Sequence, residues 1–158
     1  MPAGRKPKPT HLKLVTGNPG RRPLNAKEPK VRPELVEPPA HLNEMARQEW
    51  DRVAPGLFHT GVLSGADRAP LAAYCQAYAR WVQAETAIQK MAEKDPLTGG
   101  LMIKTTNGNA VQNPLVGTAN KAAADMVRYA AEFGMTPSAR SRIEAGALNE
   151  EEADEFFG

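Results

Sequence analysis

Nine cations crowd the first 33 residues: Arg5, Lys6, Lys8, Lys13, Arg21, Arg22, Lys27, Lys30 and Arg32, against one acid, Glu28, a local net charge of +8. Side chains of this type neutralise phosphates, and the counterions they release from a nucleic acid drive association. Residues 149–158 are the reverse, with Glu150, Glu151, Glu152, Asp154 and Glu155 and no base, a net −5. Across all 158 residues these blocks nearly cancel, to +2. No Phe, Tyr or Trp precedes Trp50. The basic segment therefore lacks rings on which bases could stack, and contact with the phosphate backbone is the chemistry it favours. A solubilising tail, or contact with an acidic protein surface, is the competing use of such a segment. Arg140 and Arg142 form a smaller cluster, suited to additional phosphate contacts or to the carbonyls of their own helix end.

The other reactive residue types do not converge. His11, His41 and His59 are scattered, none three or four residues from another, so no metal-ligand spacing exists. Cys75 falls on an apolar helical stripe, where burial keeps a thiol protonated and inert. Thr16-Gly17-Asn18-Pro19-Gly20-Arg21-Arg22 places glycines beside bases. It lacks the G-x-x-x-x-G-K-[ST] spacing of a nucleotide-binding loop, and Pro19 deletes one amide that would cradle phosphate. It reads as a turn in a basic arm. Glu44, Glu49 and Asp51 share a short helix of mixed faces, and Glu150–Glu152 is a solvated run, so neither supplies a carboxylate pair for acid–base work. Tyr74, Tyr78 and Trp81 recur at helical spacing, which is the pattern of a core or subunit interface. No catalytic residue, cofactor or metal is expected.

The elements that carry these residues are mainly α. Residues 1–40 hold nine of the fourteen prolines. That composition buries too little apolar area to offset the entropy of ordering, so an extended arm with local turns is expected. Residues 12–15 could dock as a strand. Residues 41–146 should form a helical oligomerisation core, and residues 147–158 an acidic mobile tail. A first helix, capped by Asn43, is expected to reach Val53, before Pro55. After Gly61-Val62-Leu63, Ser64 and Asp67 suggest a capping box for a second helix over 65–93. Its stripe is Leu71, Tyr74, Cys75, Tyr78, Trp81, Val82, Ile88 and Met91. At about 43 Å it is longer than a compact monomer requires, which suggests a helical hairpin or subunit packing. Asn107-Gly108 between short apolar runs predicts a β-hairpin near 100–112. Asn113-Pro114 should start a third helix with inner face Leu115, Ala119, Ala122, Ala123, Met126, Val127, Ala130 and Phe133, ending at Gly134. Its alanines permit close antiparallel packing on the second helix. Thr136-Pro137 starts a last short helix ending at Gly146.

A single cysteine rules out an internal disulfide and a multi-cysteine zinc site. No apolar run is long enough to span a bilayer, and no apolar segment follows the basic start as in a secretory signal. A soluble protein of a reducing cytoplasm, without membrane contact, is the expectation.

Three blocks resemble a known family. Gly4-Arg5-Lys6-Pro7-Lys8-Pro9, Leu12-Lys13, then Gly17-Asn18-Pro19-Gly20-Arg21-Arg22-Pro23-Leu24-Asn25 and Glu28-Pro29 are similar to the N-terminal signature of one class of tailed-phage terminase small subunits. Pro38-Pro39-Ala40-His41-Leu42 with Glu49-Trp50 resembles the next block, and Phe133-Gly134-Met135-Thr136-Pro137-Ser138-Ala139-Arg140-Ser141-Arg142 the closing one. The resemblance implies a non-enzymatic homo-oligomeric ring that binds double-stranded viral DNA in the host cell cytoplasm. It also implies a partner, the large terminase subunit, whose ATPase and nuclease the ring regulates. The arm cations Arg5 to Arg32, with Arg140 and Arg142 as secondary contacts, would then meet DNA. Leu71, Tyr74, Tyr78, Trp81, Met126 and Val127 would form the oligomer interface. Many small terminases read DNA with an N-terminal helix-turn-helix; the prolines of this arm do not allow one. A small transcription regulator, which would need a basic recognition helix, and a non-enzymatic adaptor are the alternatives.

Overall fold

The structure is a computed structural model that describes residues 32–140. The expected arm over residues 1–31, the acidic tail and the end of the last helix, including Arg142, lie outside the described residues. Within them the order is α1 (Glu44–His59), a short 3-10 turn (Gly65–Asp67), α2 (Arg68–Ala92), β1 (Met102–Lys104), β2 (Ala110–Gln112), α3 (Pro114–Glu132) and α4 (Pro137–Arg140). This is the mainly helical architecture expected, with an antiparallel α2–α3 pair joined by a small β-hairpin.

The first helix starts where the sequence places it: the Asn43 side chain accepts the Ala46 amide at 2.9 Å. It does not stop before Pro55, however, but continues to His59. A proline inside a helix costs about 3 kcal/mol through the lost amide and ring clash. Leu57 and Phe58, each only 8% exposed, offset that by about 1.5–3 kcal/mol apiece on burial. Tertiary burial thus overrides the local signal. Folded structure also begins earlier than residue 41. Pro33 bridges Ser64, and the Glu34 amide donates to the Leu63 carbonyl at 3.0 Å. The Trp50 indole donates to the Val36 carbonyl at 3.3 Å, and Arg68 Nε to the Glu37 carbonyl at 2.9 Å. The last residues of the proline-rich segment are therefore strapped over α1 and the start of α2.

The capping box forms, but on the 3-10 turn Gly65–Asp67 that leads into α2 at Arg68, so the regular helix starts three residues later than expected. Asp67 accepts the Ser64 amide at 3.0 Å and also the Ser64 hydroxyl. One core cluster runs from Leu42, Ala46, Trp50, Leu57 and Phe58 through Leu63, Leu71, Tyr74, Cys75 and Ala79 to Ala130 and Phe133. Farther along the α2–α3 pair the buried residues are Ala77, Ala84 and Ile88 on α2 and Ala119 and Ala122 on α3. The four alanines among them let the two helices approach closely. Two apolar positions fall outside the expected inner faces: Met91 is 37% and Val127 54% exposed. Val127 lies about 80° around the helix from the line through Ala119, Met126 and Ala130, at 100° per residue.

The β-hairpin pairs Met102 with Gln112, Ile103 with Val111 and Lys104 with Ala110. Its turn is wider than a two-residue Asn-Gly loop. Gly108 donates to the Thr105 carbonyl at 2.9 Å, and Thr105 donates to the Asn109 carbonyl at 2.9 Å. Gly108 has φ +82°, giving the three-residue loop in which a left-handed glycine follows a tight turn. Asn113 then joins hairpin to helix. Its Oδ1 accepts the Leu115 amide at 3.0 Å and its Nδ2 donates to the Gly100 carbonyl at 2.8 Å. At the far end of α3, the Met135 amide returns to the Ala130 carbonyl at 3.0 Å, closing the helix after Phe133.

Candidate nucleic-acid interface

Of the nine arm cations, Arg32 alone lies among the described residues, and it is exposed. Pro33 immediately follows it and is fixed to Ser64. The basic arm therefore joins the folded body beside the α1–α2 connection. The backbone of Arg140 closes α4, whose start is held by Thr136 Oγ1 accepting the Ala139 amide at 3.3 Å.

The proposed interface residues separate into two groups. Leu71 is 0% and Tyr74 6% exposed. Both are consumed by the chain's own core and have no surface to offer a second copy. Tyr78 and Trp81 are half-buried and meet edge to face, with ring centroids 6.2 Å apart. Met126 packs half-buried against the core cluster, whereas Val127 is exposed. Apolar exposure that helical periodicity did not reveal lies around the β-hairpin: Leu97 is 94% and Leu101 53% exposed, and Met102 and Val111, the latter paired with Ile103, are exposed on its two faces. Strand alternation could have flagged it, since a two-stranded sheet has two open edges and two open faces.

A second feature missed in sequence is a buried carboxylate. Glu49, 3% exposed, accepts the Tyr74 hydroxyl at 2.7 Å and two Arg52 nitrogens at 2.6 and 2.8 Å. Burial, and then the bond to Glu49, hold the Tyr74 phenol above its ordinary pKa. The same hydrogen bonding holds Arg52 more firmly protonated. With both of its oxygens accepting hydrogen bonds inside the fold, the Glu49 carboxylate ties α1 to α2. Cys75 is fully buried, and desolvation pushes its thiol up to about 12, so it is no nucleophile near neutral pH. Among the described residues no group of three or more His, Cys, Asp or Glu could hold a metal ion. Nor is any described helix long and apolar enough to cross a membrane.

One open groove of about 990 Å³ runs between the strap at Pro39 and His41, the α2 face through Arg68, Ala73 and Arg80, and Asp125 and Tyr129 of α3. The groove exists because α3 and the strap flank that face of α2.

Comparison with protein families finds that the model described as "Phage terminase, small subunit" matches residues 46–150. Comparison with curated proteins and with solved structures finds no significant match.

Proposed function

The chain belongs to the phage terminase small-subunit family, a non-catalytic group, and from that premise we propose that it is the regulator that engages viral DNA for packaging. The family match over residues 46–150 carries this reading. The charge distribution supports it. Eight cations precede Arg32, on a segment joined at Pro33 to the helical body. On this reading the arm, from Arg5 to Arg32, grips the phosphate backbone of the duplex, with Arg140 and Arg142 adding contacts. Tyr78, Trp81, Met126 and Val127, together with the apolar β-hairpin, pack copies into a ring. The ring acts in the host cell cytoplasm and presents DNA to the large subunit, modulating its ATPase and nuclease.

The test is DNA binding by the full chain and by a chain lacking residues 1–31, the cut that spares the Pro33–Ser64 bridge. Five or six phosphates neutralised per arm give a log–log salt slope of about −5. The truncated chain should lose most affinity and most of that slope. Native mass spectrometry should show many copies per particle. Salt-insensitive binding by the truncated chain, or a strict monomer, overturns the proposal.

A further inference from the structure

We propose that the Arg80 end of the α2–α3 groove is the docking site for this chain's own acidic C-terminal segment, residues 147–158. The groove is lined by the small apolar side chains of Ala69, Ala73 and Ala77 together with Arg80, Gln76 and Tyr129. Arg80 is exposed, and no hydrogen bond or ion pair holds it among the described residues. The acids at the groove are already engaged or distant from that end. Asp125 pairs with Arg128 at 3.0 Å. Glu34 stands over Gly65, where an added Cβ would fall 2.4 Å from its carboxylate oxygen. Arg68, near that other end, spends Nε on the Glu37 carbonyl.

The occupant must therefore bring negative charge for Arg80 and apolar side chains small enough in number to fill a shallow alanine trough. Residues 147–158 read Ala-Leu-Asn-Glu-Glu-Glu-Ala-Asp-Glu-Phe-Phe-Gly. Leu148, Phe156 and Phe157 bracket five acids and no base, which supplies both requirements. A peptide can supply both the acids for Arg80 and the apolar side chains for the alanines, whereas a phosphate backbone supplies only the charge, so a peptide fits this groove better than DNA. The reach is sufficient. Glu150 follows Arg140 by ten residues, about 33 Å of extended chain, and Tyr129 lies on the helix that leads to Arg140. Tethering supplies an effective concentration of about millimolar, so a weak contact is enough to be populated.

The full chain carrying p-benzoylphenylalanine in place of Phe156 tests this. Ultraviolet cross-linking and peptide mapping should place adducts within residues 66–80 or 125–129. The yield should fall at least fivefold with Arg80→Glu, and severalfold when salt is raised from about 50 to 500 mM. Replacing Glu150, Glu151 and Glu152 by Lys in the Arg80→Glu chain should restore it. Arg80 is exposed, and an unchanged circular dichroism spectrum verifies that the variant is folded. Adducts confined to residues 1–33, adducts indifferent to Arg80→Glu, or adducts joining isotopically heavy and light chains in a mixed sample overturn docking within one chain. So does a bromodeoxyuridine duplex that cross-links to the groove while the tail labels elsewhere; the groove is then a DNA contact. Loss of DNA binding by the arm-deleted chain leaves these adducts unaffected, so this proposal and the packaging role fail separately.

Discussion

Tyr74→Phe isolates the hydrogen bond that the buried carboxylate of Glu49 receives from the second helix. The substitution removes one oxygen and leaves the ring in place. In the native fold Glu49 Oε1 accepts from Tyr74 at 2.7 Å and from Arg52 at 2.6 Å, and Oε2 accepts from Arg52 at 2.8 Å. Tyr74 is 6% exposed, so water does not replace the lost hydroxyl. A hydrogen bond to a charged group contributes about 1.5–3 kcal/mol. The expected loss is about 2 kcal/mol, which for a domain of this size lowers Tm by about 4–8 °C. The Arg52 side chain is 65% exposed, so solvent screens its charge. Arg52→Ala should therefore cost less than the 3–5 kcal/mol typical of breaking a fully buried pair, about 1–2 kcal/mol. Glu49→Leu removes the anion itself, and in that background Tyr74→Phe should cost under about 0.5 kcal/mol. Urea unfolding of the four chains at one fixed protomer concentration measures the cycle. A loss below about 0.5 kcal/mol for Tyr74→Phe alone, or an equal loss in the Glu49→Leu background, refutes the assignment of Glu49 as a core anion that depends on Tyr74.

Alkaline pH should destabilise the fold in a defined window. Burial raises the Cys75 thiol from 9.0 to about 12, so between those values the unfolded chain loses a proton that the folded chain keeps. Stability then falls as pH rises, by up to about 1.4 kcal/mol per pH unit. Tyr74, also raised, adds to the fall above its ordinary value. Urea midpoints measured from pH 8 to 11 should show this slope, and Cys75→Ala should flatten it. Two glycines with positive φ should respond differently to alanine. At Gly100 (φ +76°) a Cβ would lie 2.6 Å from the Ile88 carbonyl oxygen, whereas at Gly108 (φ +82°) it meets open space. Gly108→Ala should cost about 1 kcal/mol from backbone strain alone, and Gly100→Ala clearly more, as read by thermal unfolding. Asn113→Ala removes the cap on Leu115 and strands the buried Gly100 carbonyl. A loss of about 2–3 kcal/mol is expected by urea unfolding, and a loss no larger than that of an exposed cap would show that the Gly100 contact contributes nothing.

Helix starts and the hairpin were legible in sequence because each rests on residues close together in the chain, and the short hairpin link in turn makes α2 and α3 antiparallel neighbours. Asn43, Ser64 with Asp67, Asn107-Gly108 and Asn113-Pro114 set local geometry through one or two short-range bonds. The charge segregation between residues 1–33 and 149–158 was equally plain, and it needs no fold. What the tertiary structure decided was the outcome wherever distant segments compete for the same surface. Pro55 does not end α1, because Leu57 and Phe58 are buried farther on. Leu71 and Tyr74 share a helical stripe with Tyr78 and Trp81, yet only the first two are closed off by the core, since α1 covers part of the stripe and not all of it. Glu49 looked like one acid among several until Tyr74, 25 residues away, turned its hydroxyl toward it. The groove beside Arg80 exists only because α3 and the strap over residues 33–41 flank one face of α2. Periodicity states which side of a helix is apolar; it does not state what stands opposite, and burial, pairing and open grooves all depend on that.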